Sequence, residues 1–137
     1  MTIHQVTVGL PETLYLRLQR TAQATRQTLA DVLLRVVQVG SPPGWEDAPA
    51  EFQADLAVLD RLDDDALWKI ARSRQTDSDM VRYQALLDTN AADALTPAER
   101  AELTDLRTAA DRFMLRKAQA AAILRWRGHL LPPAERL

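Results

Sequence analysis

The chain has 137 residues, 47% of them hydrophobic, with four glycines, no cysteine and a formal net charge of −2. Without cysteine it holds neither disulfides nor thiolate metal sites, and a reducing cytoplasm is its expected home. No basic stretch leads into an apolar run at the start, and no segment approaches bilayer-spanning length, so neither export nor a membrane partner is expected.

The small net charge hides an asymmetry. Residues 1–40 carry four arginines and two acids, a net +2; residues 41–66 carry one arginine and eight acids, a net −7; residues 67–137 carry twelve basic and nine acidic groups, a net +3. A basic head, an acidic neck and a basic tail point to different partners for different parts.

The head opens on alternation. Val6, Val8 and Leu10 fall on one side and Gln5, Thr7 and Gly9 on the other, the period-two pattern of a half-buried strand over residues 3–10. Pro11-Glu12 then opens a helix carrying Leu14 and Leu18. After the turn A-T-R-Q, which has no glycine, Thr28 caps a second helix with Asp31 at its third position. Leu29, Val32, Leu33, Val36 and Val37 give that helix a wide apolar face, which Leu34 and Val39 extend nearly all round. One strand cannot satisfy its own edges, and forty residues bury too little core to fold alone. Pairing with the same strand of a second copy is the economical solution. The expected homodimer core is Val6, Val8, Leu10, Leu33, Val36 and Val37.

Gly40-Ser41-Pro42-Pro43-Gly44 is the clearest boundary. Gly40 is placed to end the helix in a left-handed conformation, and the two prolines forbid its continuation. The expected organisation is a head over 1–40, a Pro/Gly linker over 41–50 and a helical domain over 51–137. Trp45 is expected to pack down as an anchor. Beyond it, Phe52, Leu56 and Leu59, then Leu67, Ile70 and Ala71, then Met80, Tyr83 and Leu87 each mark a helix. Thr96-Pro97-Ala98-Glu99 is a capping box with proline at the first helical position. From there helix can run to Arg127, a rod of about 45 Å. Its stripe of Leu103, Leu106, Ala110, Phe113, Lys117, Ala120 and Leu124 is expected to pack as an antiparallel hairpin against Met80, Tyr83 and Leu87.

Catalytic residues are not found. The two histidines, His4 and His129, lie at opposite ends of the sequence, and no metalloprotease, nucleophile-elbow or phosphate-loop motif occurs. Asp63-Asp64-Asp65 does not converge on a point as metal ligands must. No enzyme activity, metal or other cofactor is expected. The acidic neck suggests protein docking instead: Asp55, Asp63 and Asp64, beside the anchors Trp45, Phe52 and Trp68, suit the cationic groove of a nuclease. The basic tail, with Arg112, Arg116, Lys117, Arg125 and Arg127, could instead meet nucleic acid or pair with this acidic neck within the chain.

The run V-T-V-G-L-P-E-T-L-Y-L-R-L-Q-R-T-A, a short turn and T-L-A-D-V-L-L-R-V-V resemble the ribbon-helix-helix (Arc/MetJ) class of DNA-binding proteins, over residues 2–40. The resemblance implies a mainly α fold: one strand and two helices intertwined as a dimer, followed by a helical tail with a long C-terminal helix. It also implies that Gln5 and Thr7 meet base edges, where glutamine can pair adenine and threonine a thymine methyl. Arg26, Thr28 and Leu29, at the start of the second helix, would hold a phosphate. A DNA-binding dimer head followed by a helical tail is similar in layout to type II toxin–antitoxin antitoxins. The expected function is therefore a repressor of its own promoter whose tail neutralises a basic toxin, a nuclease. Two alternatives stay open: a ribbon-helix-helix regulator with a ligand-binding or oligomerising tail, and an adaptor dimer that does not bind DNA.

Overall fold

A computed structural model describes residues 2–137 as two compact units, residues 2–41 and Pro42–Leu137. In the first, residues 2–10 lie outside any helix or strand. Helix α1 (Glu12–Thr25) follows Pro11, whose carbonyl accepts the Tyr15 N–H at 2.9 Å. It ends on Arg26 in the left-handed region (φ 55°, ψ 38°), with the Gln27 N–H reaching back to the Ala22 carbonyl. A side chain here costs on the order of 1 kcal/mol, which a glycine would not. Helix α2 (Leu29–Gly40) is capped by Thr28, whose hydroxyl accepts the Asp31 N–H at 3.1 Å. The two helices pack on each other, and Ala22 and Val32 are their buried residues.

The expected ribbon is not present. The described residues contain helices and irregular segments but no strand, so the ribbon-helix-helix architecture is overturned and the chain is all-helical. Alternation decides which side chains share a face; it does not supply a ladder partner. The rest of the described chain is helix, turn or irregular segment, so residues 3–10 have no strand within it to pair with. Gly40 also departs from expectation. It is the last residue of α2, and Ser41 follows in extended backbone (φ −70°, ψ 155°) because Pro42 drives the residue before it out of the helical region. Among the glycines, the left-handed one is Gly128 (φ 98°).

In the second unit, α3 (Ala50–Ala57) runs into a 3₁₀ turn (Val58–Arg61), followed by α4 (Asp64–Ala71), α5 (Asp77–Ala91) and α6 (Pro97–Trp126). Side-chain caps open three of these helices: Asp63 Oδ1 accepts the Ala66 N–H, Thr76 the Asp79 N–H and Thr96 the Glu99 N–H. At Thr96 the Glu99 carboxylate also accepts the Thr96 N–H, completing the capping box. The C-terminal half of the 30-residue α6 covers the main core, where Leu56, Leu59, Leu67, Ala71, Ala120, Ile123 and Leu124 meet. Its N-terminal half folds back on α5 around Leu86, Leu95 and Leu103, flanked by the bidentate Arg82–Glu102 pair. Leu86 takes the buried place on α5, while Met80 is exposed. Residues from Pro42 onward belong to this unit: Trp45 and Ala48 pack on the main core, and Gln119 donates to the Pro43 carbonyl. No helix among the described residues is long and apolar enough to cross a membrane.

Candidate functional site

The head residues singled out for DNA and for dimerisation remain at its surface. Gln5 and Thr7 are exposed on the irregular N-terminal segment. Arg26 forms the left-handed turn, Thr28 the cap and Leu29 the first helical position, so all three lie at the N-terminus of α2, where unpaired N–H groups and the helix dipole favour an anion. Of the expected dimer core, Val6 (80%), Val8 (68%), Val36 (48%) and Val37 (62%) are open to solvent, and Leu10 and Leu33 are half-buried. Ile3, Leu34 and Val39 add to this uncovered apolar surface. A module with two buried residues and this much exposed valine and leucine has most of its hydrophobic surface still in water.

The residues expected to meet a protein partner are engaged inside the second unit. Phe52 is buried, and Trp45 and Trp68 pack against the main core. Asp63 is the α4 cap, and Asp55 pairs with Arg112 at 2.8 Å, the guanidinium also standing 5.6 Å over the Phe52 ring. Asp64 is the centre of a clasp. Its Oδ1 accepts from Arg127 at 2.8 Å and its Oδ2 lies 2.7 Å from His129 Nε2, while Arg127 also donates to the Leu62 carbonyl. An ionised Asp64 has only acceptors, so Nε2 carries the proton. The His129 ring stands edge-on to Trp68, with centroids 5.9 Å apart, and Arg72 covers that indole at 4.4 Å. The clasp ties the start of α4 to the chain just past α6. It joins residues more than sixty positions apart and leaves no local signal in the sequence.

The Arg127 hydrogen bond, and after it that of His129, holds the Asp64 carboxyl below its ordinary range. A depressed carboxyl contributes stability that is complete above its unfolded value, about 3.9, and is lost as the pH falls through its folded value. Asp64→Asn is accordingly expected to lower the urea midpoint of tryptophan fluorescence at neutral pH, with the gap to the unsubstituted chain closing on acidification. A gap independent of pH would mean that the carboxylate charge contributes nothing.

Among the described residues, no group of three or more histidines and carboxylates could hold a metal ion. No protein-family model matches the chain, and neither a curated protein nor a solved structure is significantly similar to it.

Proposed function

We propose that the chain is a two-part regulator. Its N-terminal unit self-associates as a homodimer and contacts double-stranded DNA at its own promoter. Its C-terminal helical unit docks a basic protein partner, in the manner of a type II antitoxin and its toxin. The observation that carries this reading is the uncovered apolar surface of the first unit, formed by Val6, Val8, Val36, Val37 and their neighbours. Such a surface on so small a module marks an interface, and a second copy supplies the core that forty residues lack. For DNA, exposed Gln5 and Thr7 have the chemistry to meet base edges, and the α2 N-terminus with Arg26 has that to hold a phosphate. For a basic partner, Glu46, Asp47, Glu51, Asp60 and Asp65 are exposed acids outside the ion pairs of the described residues.

The test is an anisotropy titration of the full chain against a duplex from its own upstream region, at two salt concentrations. Binding should weaken as salt rises, with the modest slope that the few cations of the head allow. Gln5→Ala with Thr7→Ala should abolish preference for that duplex over a scrambled one while leaving the sedimentation coefficient unchanged. Absence of salt-dependent binding would overturn the DNA contact and favour an adaptor dimer. One observation favours this second reading: residues 2–16 contain no lysine or arginine.

A further inference from the structure

Between the C-terminal turn of α4 and the middle of α6 lies an open cavity of about 450 Å³. That is within the size range of small-molecule sites. Its apolar walls are Ile70, Ala109 and Phe113, and the charged side chains that line it are Lys69, Arg112 and Arg116, all cationic. No carboxylate is among its lining residues. Arg112 is neutralised from α3 by Asp55. Lys69 and Arg116 are exposed, and among the described residues neither has an ion-pair or hydrogen-bond partner. Asp65, one turn before Lys69 on α4, does not pair with it, and the nearby Lys117 is turned to the Ser73 carbonyl at 3.1 Å. Two uncompensated cations thus face an apolar cavity in a protein with more acids than bases.

Like charges gathered without counter-ions repel, and an anion between them relieves that repulsion. The apolar walls select for a body that leaves water, and Phe113 offers it an aromatic face. We propose that this cavity binds a small organic anion: a carboxylate, sulfonate or phosphate ester on an apolar, ring-sized body. The acidic group lies between Lys69 and Arg116 and the body lies against Ile70 and Phe113. Such a ligand bridges α4 and α6 and therefore stabilises the helical unit by mass action.

Two dyes sharing one ring system test this on the full chain: 1-anilinonaphthalene-8-sulfonate, and N-phenyl-1-naphthylamine, which lacks the sulfonate. The chain should bind the sulfonate at one equivalent, more tightly than the neutral dye, and the sulfonate should raise the thermal midpoint. Lys69→Gln with Arg116→Gln should weaken sulfonate binding about tenfold, the worth of two solvent-exposed charge contacts, and should leave the neutral dye unaffected. The same pair of changes at Arg100 and Arg107, exposed on α6 but outside the cavity, should alter neither dye. Since all four side chains are exposed, circular dichroism should show unchanged helix in both variants. Equal affinity for the two dyes, equal losses in the two double variants, or no sulfonate binding would each overturn the proposal.

Discussion

Replacing Val36 and Val37 with aspartate is expected to leave α2 folded and to abolish self-association of the chain. In the single copy these residues are 48% and 62% exposed, so the charges meet water and cost little beyond repulsion from the C-terminal end of α2, about 0.5 kcal/mol per residue. In a dimer buried through this face the account reverses. Each valine forgoes on the order of 1 kcal/mol of remaining apolar burial, and each carboxylate would have to be desolvated without a partner. Together these exceed about 3 kcal/mol, a loss of association of at least a hundredfold. Sedimentation equilibrium of the full chain reads this directly, with circular dichroism as the check on folding. An unchanged molecular mass would overturn self-association through α2. A monomeric variant that also loses DNA binding would tie the DNA contact to the dimer, since neither valine lies among the residues expected to touch DNA.

Local chemistry was the part of the fold readable from the chain. The caps at Thr28 and Thr96 depend on a side chain and a backbone N–H three residues apart, and both are found as expected. The end of the long helix, expected at Arg127, falls at Trp126, and Gly128 just beyond takes the positive φ (98°) of a helix stop. Readings that needed a distant partner fared less well. Alternation over residues 3–10 is a statement about faces, and without a partner in the chain those residues form no strand. The α6 stripe did identify buried Leu103, Ala120 and Leu124, but not that its two halves face different neighbours. That division leaves Phe113 half-buried between them, on the wall of the α4–α6 cavity.

The acidic neck carries the same lesson into function. Eight acids in 26 residues read as a surface for a cationic partner, yet charge density alone does not say which acids are already spent. Asp55, Asp63 and Asp64 have internal partners, whereas Glu51, Asp60 and Asp65 keep theirs in solvent. A docking surface built from this segment therefore rests on the exposed acids. The engaged ones act indirectly, by fixing α4 and the chain past α6 in place.

Whether the helical unit stands by itself or waits for a partner is decided by its core, and Leu124→Ala is the substitution expected to weaken it most. Leu124 is fully buried at the meeting of α3, α4 and α6, with Leu56, Leu59 and Leu67 in the same cluster. Removing three buried carbons there leaves a cavity that helices crossing on several sides cannot readily close, at a cost of about 3 kcal/mol. Leu86→Ala removes the same atoms from the smaller cluster between α5 and α6, where two helices can shift together, and should cost less. Trp45, Trp68 and Trp126 all belong to this unit, so tryptophan fluorescence during urea unfolding reports it without interference from the head. A cooperative transition in the unsubstituted chain, moved far down by Leu124→Ala and less by Leu86→Ala, describes a unit folded before any partner arrives. Any partner then meets a preformed surface and does not bear the entropy of ordering it. A shallow, non-cooperative fluorescence change that neither substitution moves would describe the opposite: a tail whose helices are assembled on the partner, as in antitoxins that fold on binding.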